Sequence, residues 1–309
     1  MLDALTGFVV VGVAILVGWI IGRTDLLGEH ARPVLSRLIF FVLAPFLLVV
    51  VLSQADVRML FSALLPVSAI AAVCVMVIYA VLARLLWRRN VGETLVGTMS
   101  AGLVNSNNIG IPLSLYILGS AAYPAPVILL QLLVFTPITM TLFESLVQGG
   151  TGARVFGKAL LRTVTNPIVI GSVLGTIVSV SGIVLPTIVL APAELIANAC
   201  VPVLLISYGI SLHGQRVLGA AGRRRDVVLA SALKLIAMPV IAWVFADLVF
   251  GLSSQDVLIV VVLAALPTAQ NVFNYSQRYG IGEPISRDTV FLTTIGCLPV
   301  LLLVTFLLG

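Results

Sequence analysis

Two short stretches of this chain place amide side chains where hydrocarbon is expected. The first, NSNNIGIP at residues 105–112, carries Asn105, Asn107 and Asn108, then Gly110, Ile111 and Pro112. The second, ALPTAQNVFN at 265–274, carries Pro267, Thr268, Gln270, Asn271 and Asn274. Both sit inside long apolar runs. Glycine frees the backbone, and proline removes an N–H and clashes with the preceding turn, so each stretch should interrupt a helix. An interrupted helix exposes unpaired backbone N–H groups and the positive end of its dipole. Such groups, beside amides that donate and accept, suit an anion without requiring a buried arginine. Asn105, Asn107, Asn108 and the backbone of 110–112 are expected to form one wall of a site. Pro267, Thr268, Gln270, Asn271 and Asn274 would form the other, with a small carboxylate between them.

The elements that must position these residues follow from composition. Of 309 residues, 60% are hydrophobic and 9% charged, and the mean hydropathy is +1.20. A soluble domain carries about 25% charged residues, so this is a polytopic membrane protein. A spanning helix needs about 20 apolar residues. Ten runs meet that need, near 4–22, 33–53, 61–86, 93–118, 124–148, 165–182, 187–212, 227–250, 256–279 and 289–308. Asp3 stands where a signal peptide would have its basic region, so the first run reads as a retained span. Runs this long are not the alternating strands of a membrane barrel.

Positive charge sets the expected orientation. Alternate connections hold Arg23, Arg32, Arg37, then Arg84, Arg88, Arg89, then Arg154, Lys158, Arg162, then Arg216 and Arg223 to Arg225, then Arg278 and Arg287. These are 15 of the 17 basic residues; Arg58 alone lies on the opposite side and Lys234 inside a run. Both termini should therefore face outward, with a bacterial inner membrane as the expected setting. The basic residues are spread over the inner connections, so nucleic acid is not an expected partner; the lipid bilayer is.

Five runs lie in 1–150 and five in 163–309, joined by a short cytoplasmic link at 151–162. An odd number per half inverts the second half relative to the first. A shift of 160 residues carries the first interrupted stretch onto the second. Paired interruptions at matching places in two halves point to a transporter site near mid-membrane. Ordinary proline kinks would give one such stretch more readily than two in register; Pro45, Pro66, Pro137, Pro202 and Pro239 read as such kinks.

Other polar groups are candidates for coupling or charge compensation. Lys234 would attract the anion or stand in for a cation where the helices break, the alternative being snorkelling to the interface. Glu194 is a proton-coupling candidate set about 15 Å from Lys234 along the membrane normal by helical rise. Gln131 points at the cavity or at a neighbouring helix, and Glu144 has an interfacial position. Cys74, Cys200 and Cys297 read as buried apolar residues, and His30 and His213 form no cluster, so neither a metal nor another cofactor is expected. The chain lacks HExxH, an acidic pair within the spans, a phosphate-binding GxxxxGK[ST] and a repeated filter sequence, which disfavours an enzyme, an ATP-driven pump and a channel.

The chain resembles the auxin efflux carrier family, whose prokaryotic members include malate- and malonate-type permeases. The resemblance rests on NSNNIGIPL at 105–113, TNPIVIGSVLG at 165–175, LPTIVLAPAELIANACVPVLLISYGISL at 185–212, LKLIAMP at 233–239 and ALPTAQNVFNYSQRYG at 265–280. It implies an all-α fold of ten transmembrane helices in two inverted five-helix repeats, with crossed, broken helices 4 and 9. That fold is shared with bile acid sodium symporters and sodium/proton antiporters. It also implies a panel of spans 1, 2, 6 and 7, a transport domain of spans 3–5 and 8–10, elevator-type movement, and a homodimer through the panel helices. Neither interrupted stretch holds an acid, so a bile-acid-type sodium site is not evident. Proton coupling, uniport and the alternative of a sodium-coupled organic-anion symporter stay open, as do substrate and direction.

Overall fold

The computed structural model describes residues 2–28, 30–54, 64–148, 161, 165–212 and 218–309. The expected link at 151–162, apart from Leu161, lies outside the described residues, as do Arg58, Arg154, Lys158, Arg162, His213 and Arg216. The side chain of Glu144 is also outside them.

Helix dominates the described residues, and their one β interaction is an isolated bridge. The first half contains α1 (Leu2–Thr24), α2 (Pro33–Ser53), α3 (Leu64–Leu86), α4 (Val91–Gly102), α5 (106–118) and α6 (Ala125–Phe143). The second contains α7 (Pro167–Ser181), α8 (Thr187–Ile210), α9 (Arg224–Val249), α10 (Ser254–Ala265), α11 (Gln270–Tyr279) and α12 (Glu283–Leu308). Six of these, α2, α3, α6, α8, α9 and α12, are long and apolar enough to cross a membrane. Gly12–Thr24, α7 and α10 are shorter apolar helices. The apolar runs at 93–118 and 256–279 are each two helices with extended backbone between them.

Local chemistry explains where those two runs begin, break and end. Asn90 Oδ1 accepts from the Glu93 N–H at 2.8 Å and starts α4, with Glu93 in the first turn. Ser253 Oγ accepts from the Asp256 N–H at 3.2 Å and starts α10 in the same manner. Each helix is 12 residues long, about 18 Å, a little over half of a bilayer core of about 30 Å. Pro267 forces the residue before it out of the helical region, and Leu266 has ψ 151°. On the first side Leu103 is extended with ψ 135°. Beyond the breaks, α5 and α11 end at Gly119 (φ 79°) and Gly280 (φ 66°), left-handed caps that glycine adopts without a steric penalty.

Packing sorts the helices into two groups. The first joins α1 to the second half of α8 and α2 to α7. There the backbones approach closely: a Cβ on Gly18 would lie 2.1 Å from the Ile206 carbonyl oxygen, and one on Gly209 would lie 2.0 Å from that of Ile15. Small residues permit this contact, the usual means of helix association where lipid is as apolar as the side chains. The second group packs α3 on α4 and α9, α10 and α12 on one another. A buried polar clamp ties its two halves together. Asp226, fully buried at the start of α9, accepts from Arg89 Nε at 3.0 Å and Nη2 at 2.6 Å, and from Tyr79 Oη at 3.3 Å. The carboxylate beside it holds the Arg89 pKa above its ordinary value. Arg223 pairs with Glu93 nearby.

Candidate functional site

The two breaks meet. Val104 and Thr268 form an antiparallel bridge, in which the Asn105 N–H donates to the Pro267 carbonyl at 2.8 Å and the Ala269 N–H to the Leu103 carbonyl at 2.9 Å. Backbone taken out of a helix inside hydrocarbon must find partners of this kind. Further groups are met by side chains from the helices that follow each break. Gln131 on α6 accepts from the Val104 N–H at 2.7 Å and donates to its carbonyl at 2.9 Å. Thr293 on α12 accepts from the Thr268 N–H at 3.1 Å.

The truncated ends of α4 and α10 each receive a side-chain donor. Thr268 Oγ1 donates to the Ser100 carbonyl at 2.6 Å in the last turn of α4. Lys234 Nζ donates to the Ala264 carbonyl at 2.8 Å in the last turn of α10 and lies 2.9 Å from Met238 Sδ. Lys234 is fully buried and does not reach an interface. A cation against a helix C-terminus opposes the negative end of its dipole.

The opposite ends, the starts of α5 and α11, face a cavity of about 740 Å³. Asn105 caps α5, its Oδ1 accepting from the Asn108 N–H at 3.3 Å. Ala269 caps α11 with no side-chain hydrogen bond, so the first N–H groups of that helix have no capping side chain. Asn105 is 4% exposed, yet its Nδ2 has no partner, and neither does the buried Asn107 Oδ1. Buried amides are hydrogen-bonded as a rule, so two orphan atoms on one cavity wall call for an explanation.

Of the residues expected from sequence, Asn105, Asn107, Asn108, Gln131, Gln270, Asn271 and Asn274 line this cavity. Gly110, Ile111, Pro112, Pro267 and Thr268 are not among its lining residues; they shape the break behind the wall, and Ile111 and Thr268 are fully buried. A Cβ on Gly110 would lie 2.8 Å from Leu266 Cδ1, so its place is in packing between the two breaks. Lys234 backs α10 without lining the cavity. Glu194 is not among the lining residues; it is half-buried on α8 and accepts from Gln54 Nε2 at 3.4 Å. Gln131 both lines the cavity and braces the neighbouring break, so the two orientations left open by sequence are one.

Sequence reasoning missed several lining residues. Arg37 and Arg278, counted there only toward orientation, reach the cavity from α2 and α11. Asn166 does so too, while its Oδ1 accepts from the Ile168 N–H at 2.9 Å and starts α7. The Asn166-Pro167 pair before an apolar run was the available signal, since it marks a helix start. Ser207 and Tyr208 come from α8.

A multi-pass helical membrane protein with two broken helices meeting at a polar cavity belongs to the class of membrane transport proteins. Residues 4–305 match the family described as membrane transport protein, and the chain belongs to that family, which comprises the auxin efflux carriers. It is similar to an uncharacterized transporter of Methanothermobacter thermautotrophicus, with 25% identity over 295 residues, covering 92% of this chain and 91% of the relative. The protein is thus a transporter and not an enzyme.

Proposed function

We propose that the protein moves small organic anions, carboxylates of the malate, malonate or auxin-like kind, across a bacterial inner membrane by alternating access. The observation that carries this reading is the cavity wall at the helix breaks. Asn105 Nδ2 and Asn107 Oδ1 are buried there without partners, the α11 start lacks a side-chain cap, and among the described residues lining the cavity none is acidic. Oriented N–H groups at helix starts bind carboxylates without desolvating a full positive charge.

In this reading the chain has ten spans in two inverted repeats, 1–150 and 163–309, with both termini outside. Matching features in the two halves support it: helices of 12 residues, side-chain caps at Asn90 and Ser253, and breaks braced by Gln131 and Thr293. The group built on α1, α2, α7 and α8 serves as the panel and the dimer contact, and the rest moves against it as an elevator. Arg37 and Arg278 belong to the inner connections by charge, so the cavity described opens to the cytoplasm. Lys234 fills the electrostatic place of a metal cation at the α10 end, which favours transport without sodium. Glu194, held by Gln54 outside the cavity, is a weaker candidate for proton coupling.

Uptake of labelled mono- and dicarboxylates into proteoliposomes, with and without sodium and pH gradients, tests the proposal. Saturable uptake of at least one carboxylate, unchanged when sodium is replaced by choline, is the expected result. Uptake of none of them overturns the substrate class, and an absolute need for sodium overturns the role given to Lys234.

A further inference from the structure

The floor and the mouth of the cavity carry different chemistry. At the floor are the buried amide of Asn105 and the start of α11. Arg278 lies eight residues beyond Gln270 on α11, about 12 Å along the helix. Arg37 approaches from the first turns of α2, and both arginines are exposed. Among the described residues that line the cavity they are the charged ones, with no carboxylate beside them to offset them. Among the described residues neither is paired with an acid: Arg278 is found over the ring of its neighbour Tyr279, at 5.6 Å from the centroid, whereas Arg89, Arg223 and Arg287 are each paired with an acid.

We propose that Arg37 and Arg278 are specificity-determining residues that favour dianionic over monoanionic carboxylates through the field they set up at the cavity mouth; this rests on the organic-anion reading above. A cavity of about 740 Å³ is far larger than a small dicarboxylate, so an anion at the amide floor is acted on by the arginines at a distance rather than gripped by them. Low-dielectric walls around an aqueous cleft concentrate such a field. The energy of a mobile ion in a fixed field is proportional to its charge. The fold-change that the pair confers on a dianion is therefore the square of the fold-change on a monoanion. Amides and helix ends at the floor recognise one carboxylate alike in both ligands, and the discrimination resides at the mouth.

The experiment compares malate with lactate, which share a 2-hydroxy carboxylate and differ in charge. Inhibition constants of both are measured, at low and at high potassium chloride, against whichever labelled carboxylate the wild type takes up. The double variant Arg37→Gln, Arg278→Gln should weaken lactate about threefold and malate about tenfold, and should flatten the salt dependence of malate inhibition. The double variant Arg37→Lys, Arg278→Lys, which keeps the charges, should retain the wild-type ratio. A wild-type malate to lactate ratio in the glutamine variant, with uptake intact, overturns the assignment and leaves the transport reading standing. Equal weakening of both ligands overturns it too, because it reports a contact with the shared carboxylate. Loss of discrimination in the lysine variant has the same consequence. Absence of carboxylate uptake by the wild type instead overturns the transport reading, and this inference with it.

Discussion

Gln131→Leu will lower the stability of the purified protein by about 2–4 kcal/mol, the cost of leaving the Val104 N–H without a partner in an apolar surround and of losing one bond to its carbonyl. Val104 is 4% exposed, so water does not replace the lost acceptor. Its carbonyl fares better, because the Ser106 N–H also donates to it at 2.8 Å. Leucine nearly matches glutamine in volume, so a cavity term contributes little and the orphaned N–H dominates. For a chain of this size the change corresponds to a fall in Tm of about 4–12 °C, measured by thermal unfolding in detergent. Thr293→Val removes the matching acceptor for the Thr268 N–H and should produce a similar but smaller fall. A Tm within a degree of wild type for Gln131→Leu would show that Val104 finds another partner, and that α6 does not brace the break.

Lys234→Met should behave in the opposite way, with a small effect on stability and a large one on transport. The ammonium makes one strong hydrogen bond, to the Ala264 carbonyl, worth about 1.5–3 kcal/mol for a charged donor. Against this stands the desolvation of a fully buried cation, several kcal/mol even after relaxation. The two nearly cancel, so Tm should move by only a few degrees. Transport feels the charge directly. The ammonium sits on Ala264 in the last turn of α10, and the few extended residues from Leu266 to the Ala269 cap put the start of α11 about 10–15 Å away. At that distance Coulomb's law at an effective dielectric of about 20 gives about 1–2 kcal/mol for a bound anion. Removing the charge should weaken carboxylate binding about five- to thirtyfold. Binding unchanged in a stable Lys234→Met protein would contradict this account of the lysine.

Much of the architecture is legible in the sequence because hydropathy is a property of runs. The run at 33–53 became α2, that at 61–86 became α3 over its described residues, and those ending at 250 and 308 became α9 and α12, ending within a residue of their expected ends. The interruptions were legible through Pro267 and the Asn-rich stretch, since both residue types oppose helix locally. What the sequence did not reveal is which residues face the cavity and which stand behind it. Thr268 and Gln270 are two positions apart, yet one is sealed against the Ser100 carbonyl and the other lines the wall. That difference arises from the antiparallel bridge, a contact between residues 164 positions apart that no local pattern encodes. The arginines were hidden for another reason. Position near a span end explains a basic residue so readily that its direction is not sought, and both Arg37 and Arg278 point into the cavity.

The central claim is that the amides at the two helix breaks hold the transported anion. Its most direct test is carboxylate uptake by the double variant Asn107→Ala, Asn271→Ala in sodium-free proteoliposomes. Both side chains line the cavity and neither caps a helix through a side-chain hydrogen bond, so the fold should persist. The account predicts a protein with wild-type Tm whose carboxylate uptake falls at least about tenfold, as expected when two polar contacts to a charged ligand are removed. Wild-type uptake by the same well-folded variant would contradict it.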